Sequence, residues 1–218
     1  MATTLREGAD GSFSGALFGD DLSRVNREDA RRISKVAHAR LHSDGARFSL
    51  PEDPGRKFAE LLSQHPDVGI FAGRASWFEV KDIETWLRTQ SPNPLTTCYP
   101  RSTSDSFEYC QAESSELVVS PPFNLREPAP DRLTTQPSLV FVPCTLADSY
   151  GHRMGRGKGL FDRYLTRHPG VIAVGVCHED FLLEQFPTHW TQSHDQDMTA
   201  LLTNHRFIAN LNKGDLNT

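Results

Sequence analysis

The residues best equipped for chemistry lie between Gly151 and Arg163, in the run GHRMGRGKGLFDR. Gly155, Gly157 and Gly159 alternate just ahead of an apolar-periodic segment, so the backbone can turn tightly there and approach a ligand closely at a helix N-terminus. That arrangement favours an anion. Arg153, Arg156 and Lys158 place three cations within six residues, which suits phosphate better than a neutral ligand. The spacing is not that of a Walker A loop: His152 stands five residues before Gly157 where a Gly is required, and Gly159 follows Lys158 where Ser or Thr is required. Nor is it the Rossmann fingerprint, because G-x-G-x-G lacks the G-x-x-G step. A basic turn joining strand to helix would carry the same residues without any ligand. Asp162 can hold Mg2+ bound to phosphates, position the loop, or complement the helix dipole, and the motif alone does not choose.

A second set of cations lies near the N-terminus. From Asn26 onward Ile33, Val36, Ala37 and Leu41 recur at helical spacing, and Asn26 precedes Asp29 by three residues in the manner of an N-cap. Arg27, Arg31 and Lys35, four apart, stack on one side of that helix, as a solvated face or as a surface turned toward an anion. The histidines open no other enzyme class. His178, His189, His194 and His205 lack H-x-x-x-H spacing, and no Ser or Cys sits in a nucleophile elbow. His178, Glu179 and Asp180 follow a strand end, where ligands of open α/β sheets bind, although a surface loop would read the same way.

The elements that must position these residues are clearest around the glycines. Leu139 to Pro143 (LVFVP) and Val171 to Val176 (VIAVGV) are continuous apolar runs, and the helical segment LFDRYLTRH lies between them. Strand, glycine loop, helix and strand make a βαβ unit, so the chain reads as α/β around a mostly parallel sheet. Upstream, Asp53 and Pro54 open a helix with Phe58, Leu61 and Leu62 inward, closed by His65-Pro66. The run Val68 to Ala72 reads as a buried strand, Lys81 to Leu87 as a helix, and Thr96–Tyr99, Phe107–Cys110 and Leu117–Ser120 as strands. Ser120 to Pro137, with its prolines, reads as a long connection without regular structure.

The chain has 218 residues, 37% hydrophobic and 9% aromatic, enough for a single domain over 23–218 behind a flexible arm of residues 1–22 rich in Gly, Ser and Asp. A formal charge of −5 and a sequence pI near 6.0 give no footprint for nucleic acid. Without an apolar run of membrane-spanning length or a signal-peptide pattern, a cytoplasmic protein with no membrane partner is expected. Cys98, Cys110, Cys144 and Cys177 are widely spaced and read as buried free thiols rather than a zinc site or disulfide framework.

Val142 to Leu165, VPCTLADSYGHRMGRGKGLFDRYL, resembles the 5-formyltetrahydrofolate cyclo-ligase family, whose pattern is V-P-x-x-x-x-D-x-x-G-x-R-L-G-x-G-K-G-Y-Y-D-R-Y-L. Weaker likenesses lie at Val68–Leu87, Arg126-Glu127-Pro128, Val174-Gly175 and Asp195–Thr203. The resemblance implies a three-layer α/β fold with a mostly parallel central sheet, of the kind shared with ribose-5-phosphate isomerase and CoA-transferase domains. It implies ATP-dependent closure of 5-formyltetrahydrofolate to 5,10-methenyltetrahydrofolate, with release of ADP and phosphate. A monomer is expected. Arg153, Gly155, Arg156, Gly157, Lys158 and Gly159 would then cradle the ATP phosphates with Asp162 near Mg2+, and Arg27, Arg31 and Lys35 would match a basic N-terminal helix facing them. On the folate side the chain departs from the pattern. Trp77 stands where the family has a pterin-gripping Glu, Glu79 where an Asp follows, Leu160 and Phe161 where it has an aromatic pair, and Phe181 where it has a Gln. Two readings stay open: a divergent cyclo-ligase, or a member that keeps a nucleotide or phosphate site as a binding or regulatory module or for another substrate. A third is an interaction protein whose basic loop meets an acidic partner.

Overall fold

The computed structural model describes residues 18, 21–43, 50–71, 80–120, 125–209 and 211, the side chains of 40–43 and 80–82 excepted. Helix α1 spans Arg27–Ser43. Asn26 caps it as the spacing predicts, its Oδ1 accepting the Asp29 N–H at 2.9 Å. Helix α2 spans Arg56–Gln64, buries Phe58 and Leu62 one turn apart, and stops before Pro66. Strand β1 (Asp67–Gly69) follows, then helix α3 (Val80–Gln90), β2 (Thr96–Ser102) and β3 (Phe107–Gln111).

The Pro-rich stretch departs from expectation. It carries two short strands, β5 (Leu125–Glu127), pairing with β4 (Val118–Ser120), and β6 (Thr134–Thr135), pairing with β3. Each uses the few donors left between prolines, and pairing partners rather than propensity decide such short strands. β4 and β5 form their own two-stranded ribbon apart from the main sheet.

Beyond β7 (Leu139–Pro143) the chain forms a hairpin, β8 (Leu146–Asp148) and β9 (Arg153–Met154), before helix α4 (Leu160–Arg167). The glycine loop therefore joins a hairpin to a helix, where the sequence suggested a direct step from strand to helix. The remaining strands are β10 (Ile172–Val176), β11 (Leu182–Leu183), β12 (Ala200–Leu202) and β13 (Phe207–Ile208).

The main sheet runs β13-β12-β10-β7-β1-β2-β3-β6. Its five central strands, β12 to β2, are parallel, and antiparallel strands close both edges. Strands buried on both faces must be apolar throughout, which explains the run LVFVP. Leu139 and Phe141 join Phe58, Leu62, Ile83 and Leu87 on one face; Val140 and Val142 join Tyr164 and Leu165 on the other. The result is three layers. From β1 the chain crosses through α3 to β2 on one side, and from β7 through α4 to β10 on the other. The adjacent carboxyl ends of β1 and β7 are thus the topological switch point, where open α/β sheets bind ligands. There the small sheet β11-β8-β9 packs beneath α1 through Ala30, Ala37, Leu146, Met154, Phe181 and Trp190.

Candidate functional site

The site is built outward from Asp148, at the end of β8. Its carboxylate is completely buried and accepts the N–H groups of Tyr150 and His152 at 3.0 Å each, the Phe186 N–H at 2.7 Å, and stands 2.8 Å from His152 Nδ1. Four donors satisfy the buried charge and pin the turn that leads into β9. Gly151 sits in that turn at φ +94°, and a Cβ there would lie 2.7 Å from the Met198 carbonyl oxygen. The turn is closed to any other residue. It delivers Arg153, a buried arginine whose Nη2 donates to Asp162 Oδ1 at 2.6 Å. Asp162 Oδ1 also accepts the Gln196 N–H at 3.2 Å.

Gly155 to Gly159 follow, with Gly157 at φ +94° and Gly159 at φ +61° capping α4. Arg156 and Lys158 are exposed on this loop. The basic face of α1 meets it. A Cβ placed on Gly157 would lie 3.5 Å from Arg31 Cδ, so the Arg31 stem lies across the glycine, and Lys35 Nζ donates to the Arg156 carbonyl at 3.1 Å. Arg27 takes a different partner: its two Nη atoms reach the two carboxylate oxygens of Asp195 at 2.7 and 2.8 Å. Burial works against ionisation of Asp195, but the Arg27 hydrogen bond and the Gln192 N–H overcome it and hold the carboxyl below its ordinary value.

His38, on the next turn of α1, lies with Nε2 2.6 Å from the Thr145 carbonyl oxygen and stacks on Phe181 with centroids 3.6 Å apart. Burial pulls its pKa down to about 3, so the ring is neutral near pH 7. Phe181, the residue at the family's Gln position, is fully buried in this cluster. His178 follows β10 and caps a short 3-10 turn, accepting the Asp180 N–H at 3.2 Å.

Leu160 and Phe161 are half-buried and pack onto the core; Phe161 meets Phe107 at 5.1 Å. Trp77 and Glu79 lie outside the described residues. The cysteines are free and buried as expected, and burial pushes the Cys144 thiol up to about 11 and Cys98 to about 12, which disqualifies them as nucleophiles. Among the described residues, no three His, Cys, Asp or Glu side chains gather into a metal cage.

A profile of the 5-formyltetrahydrofolate cyclo-ligase family matches residues 87–204, more than half of the chain. The chain belongs to this family. A 5-formyltetrahydrofolate cyclo-ligase of Mycolicibacterium smegmatis is 36% identical over 100 residues, which are 43% of this chain and 50% of that protein. One from Mycoplasma genitalium is 22% identical over 167 residues, 74% of this chain and 90% of that protein. Among solved structures, the 5,10-methenyltetrahydrofolate synthetase of Aquifex aeolicus superposes with a TM-score of 0.59 at 19% identity, over 86% of this chain and 94% of that one. The synthetase of Mycoplasma pneumoniae gives 0.54 at 14%, over 83% and 100%. At these identities the likeness speaks for the α/β fold that the cyclo-ligase motif implied.

Sequence reasoning singled out the loop and both basic segments but missed Asp148 as a hub and Asp195 as the partner of Arg27. Each works through contacts far along the chain, 38 residues from Asp148 to Phe186 and 168 from Arg27 to Asp195. The available signals were family likenesses: Asp148 stands at the D of V-P-x-x-x-x-D, and Asp195 opens the weaker likeness over Asp195–Thr203.

Proposed function

We propose that the protein catalyses ATP-dependent closure of 5-formyltetrahydrofolate to 5,10-methenyltetrahydrofolate, releasing ADP and phosphate, as a cytoplasmic monomer. The observation that carries this reading is the convergence of two remote basic segments on three glycines: Arg31 lies against Gly157 and Lys35 binds the Arg156 carbonyl, beside Arg153 and Lys158. Five cations around a glycine turn at a helix N-terminus suit a polyphosphate, for which catalysis is mostly positioning and charge neutralisation. The nucleotide supplies the phosphoryl group that makes the formyl oxygen able to leave when N10 attacks the formyl carbon. Lys158 and Arg156, exposed on the loop, are assigned to the transferring end; Arg153, fixed by Asp162, orients from below.

Magnesium fits as a companion of the phosphates rather than as a resident ion. Asp162 Oδ1 is taken by Arg153 and Gln196, which leaves one carboxylate oxygen for a cation that phosphates otherwise ligate, the usual Mg2+ arrangement. Folate is assigned to the crevice at the carboxyl ends of β1 and β7, with Leu160 and Phe161 on its wall; Trp77 and Glu79 are assigned to the substrate on the family likeness alone.

One observation favours a second reading. Phe161 is engaged with Phe107 in the core and neither it nor Leu160 carries a hydroxyl, so a nucleotide- or phosphate-binding member without cyclo-ligase activity keeps the loop but not the pterin contacts. Incubation with 5-formyltetrahydrofolate, ATP and Mg2+ separates the two. The first reading expects methenyl product by absorbance with one phosphate released per turnover; ATP binding without product at high protein concentration establishes the second.

A further inference from the structure

Arg163, on the first turn of α4, is exposed, yet its guanidinium is committed to two backbone carbonyls. Nε donates to the Asp105 carbonyl at the tip of the β2–β3 hairpin and Nη1 to the Lys158 carbonyl in the glycine loop, each at 3.0 Å. The anchor is itself fixed: the Thr103 N–H donates to the Ser106 carbonyl at 3.0 Å, and Thr103 Oγ1 accepts the Ser106 N–H at 3.1 Å. The Asp105 carboxylate goes to Arg167 at 2.8 Å, which leaves Arg163 to the main chain. A planar guanidinium with fixed N–H directions can hold carbonyls of two separate elements at once, whereas an ammonium is a single point.

The Lys158 carbonyl shares its peptide plane with the Gly159 N–H. In a trans peptide the two point in opposite directions, so tying the carbonyl to Arg163 turns the Gly159 N–H away from it. Gly159 caps α4 at φ +61° without a side-chain cap, and among the described residues its N–H has no acceptor. A Cβ on Gly159 would lie 3.2 Å from Arg163 Nη1, so the glycine admits the guanidinium as well as the left-handed backbone. Lys35 holds the Arg156 carbonyl in the same manner, and with it the peptide that carries the Gly157 N–H.

We propose that Arg163 is a positioning residue: by bracing the Lys158 carbonyl against the β2–β3 hairpin, it aims the Gly159 N–H at a phosphoryl oxygen of the bound polyphosphate. A donor fixed before the anion arrives needs no reorganisation when it binds. The proposal rests on the reading of the glycine loop as a phosphate site. The test titrates inorganic tripolyphosphate onto the full chain with isotopically labelled glycine, following amide protons by NMR in the wild type, Arg163→Met, Arg163→Lys and Arg167→Met. Arg163→Met is expected to weaken binding about fivefold, within the worth of one hydrogen bond, and Arg163→Lys to recover part of the loss. Arg167→Met, which frees the Asp105 carboxylate but leaves the loop contact, is expected to stay within twofold. At saturating ligand the Gly159 amide shift is expected to disappear in Arg163→Met while the Gly157 shift, whose peptide Lys35 holds, persists. If Arg163→Met fails to fold, an intermediate Gly159 shift in Arg163→Lys carries the comparison. A saturated Gly159 shift equal to wild type in both Arg163 variants overturns the positioning role whatever the affinities, because a direct phosphate contact or a general loss of stability would leave it in place. An equal loss of affinity in Arg167→Met and Arg163→Met also overturns it, in favour of the hairpin alone. Wild-type protein that binds no tripolyphosphate sinks the phosphate reading of the loop and this role with it.

Discussion

Arg153 and Arg27 approach the site already matched to carboxylates, Asp162 at 2.6 Å and Asp195 at 2.7 Å. The two pairs meet through residues 195 and 196, since Asp195 takes Arg27 with its side chain and Gln196 gives its N–H to Asp162. Fixed guanidinium groups lose little freedom when an anion arrives, which is how a preorganised site favours binding. The Arg27 and Asp195 side chains are only 14% and 16% exposed, so their pair is screened less than a surface one. Asp195→Asn leaves Arg27 charged and half-paired in that environment. Loss of about 1–3 kcal/mol in urea unfolding is expected; a change below about 0.5 kcal/mol, the usual range for surface substitutions, would deny the pair its role. At this scale residue type and spacing were enough for the glycine loop, because its chemistry is local. They were not enough for Asp148 and Asp195, which look like any other aspartate until the fold supplies their partners.

Helix α1 carries two of the five cations of the candidate cradle, Arg31 and Lys35, and His38 ties it to the end of β7 through Thr145. The folded pKa of His38 is about 3 against an ordinary 6.5, and burial moves His178 in the same direction. Between those values the unfolded chain binds more protons than the folded one, so stability is complete above about pH 6.5 and falls as pH drops toward 3. Thermal melts followed by circular dichroism should show Tm declining steadily between pH 6.5 and 4, with the decline shallower in His38→Gln. Equal slopes for the variant and the wild type would remove His38 from the account. The helix itself was legible from its apolar period and the Asn26 cap. Its docking was not, since nothing in periodicity says which loop a basic face will meet. Strands β5 and β6 were invisible for a related reason: two or three residues carry no period, and only their neighbours make them strands.

Over the whole molecule, a formal charge of −5 hides an uneven distribution, in which the fold brings Arg31 and Lys35 from one end of the sequence to Arg153, Arg156 and Lys158 from the other. The parallel sheet makes this possible by placing α1 and the glycine loop at the same end, near the switch point between β1 and β7. That architecture was largely readable from LVFVP, VIAVGV and the helix between them. The hairpin β8–β9 was not, because its strands are short and its turn is set by Asp148. The central claim is that these converging cations bind polyphosphate, and calorimetric titration of ATP onto the wild-type chain and the Lys158→Ala variant tests it most directly. Saturable binding that weakens tenfold or more in the variant is the expected result, one tenfold step being about 1.4 kcal/mol of lost phosphate interaction. Absence of binding to the wild type, or equal affinity in the two proteins, would contradict it.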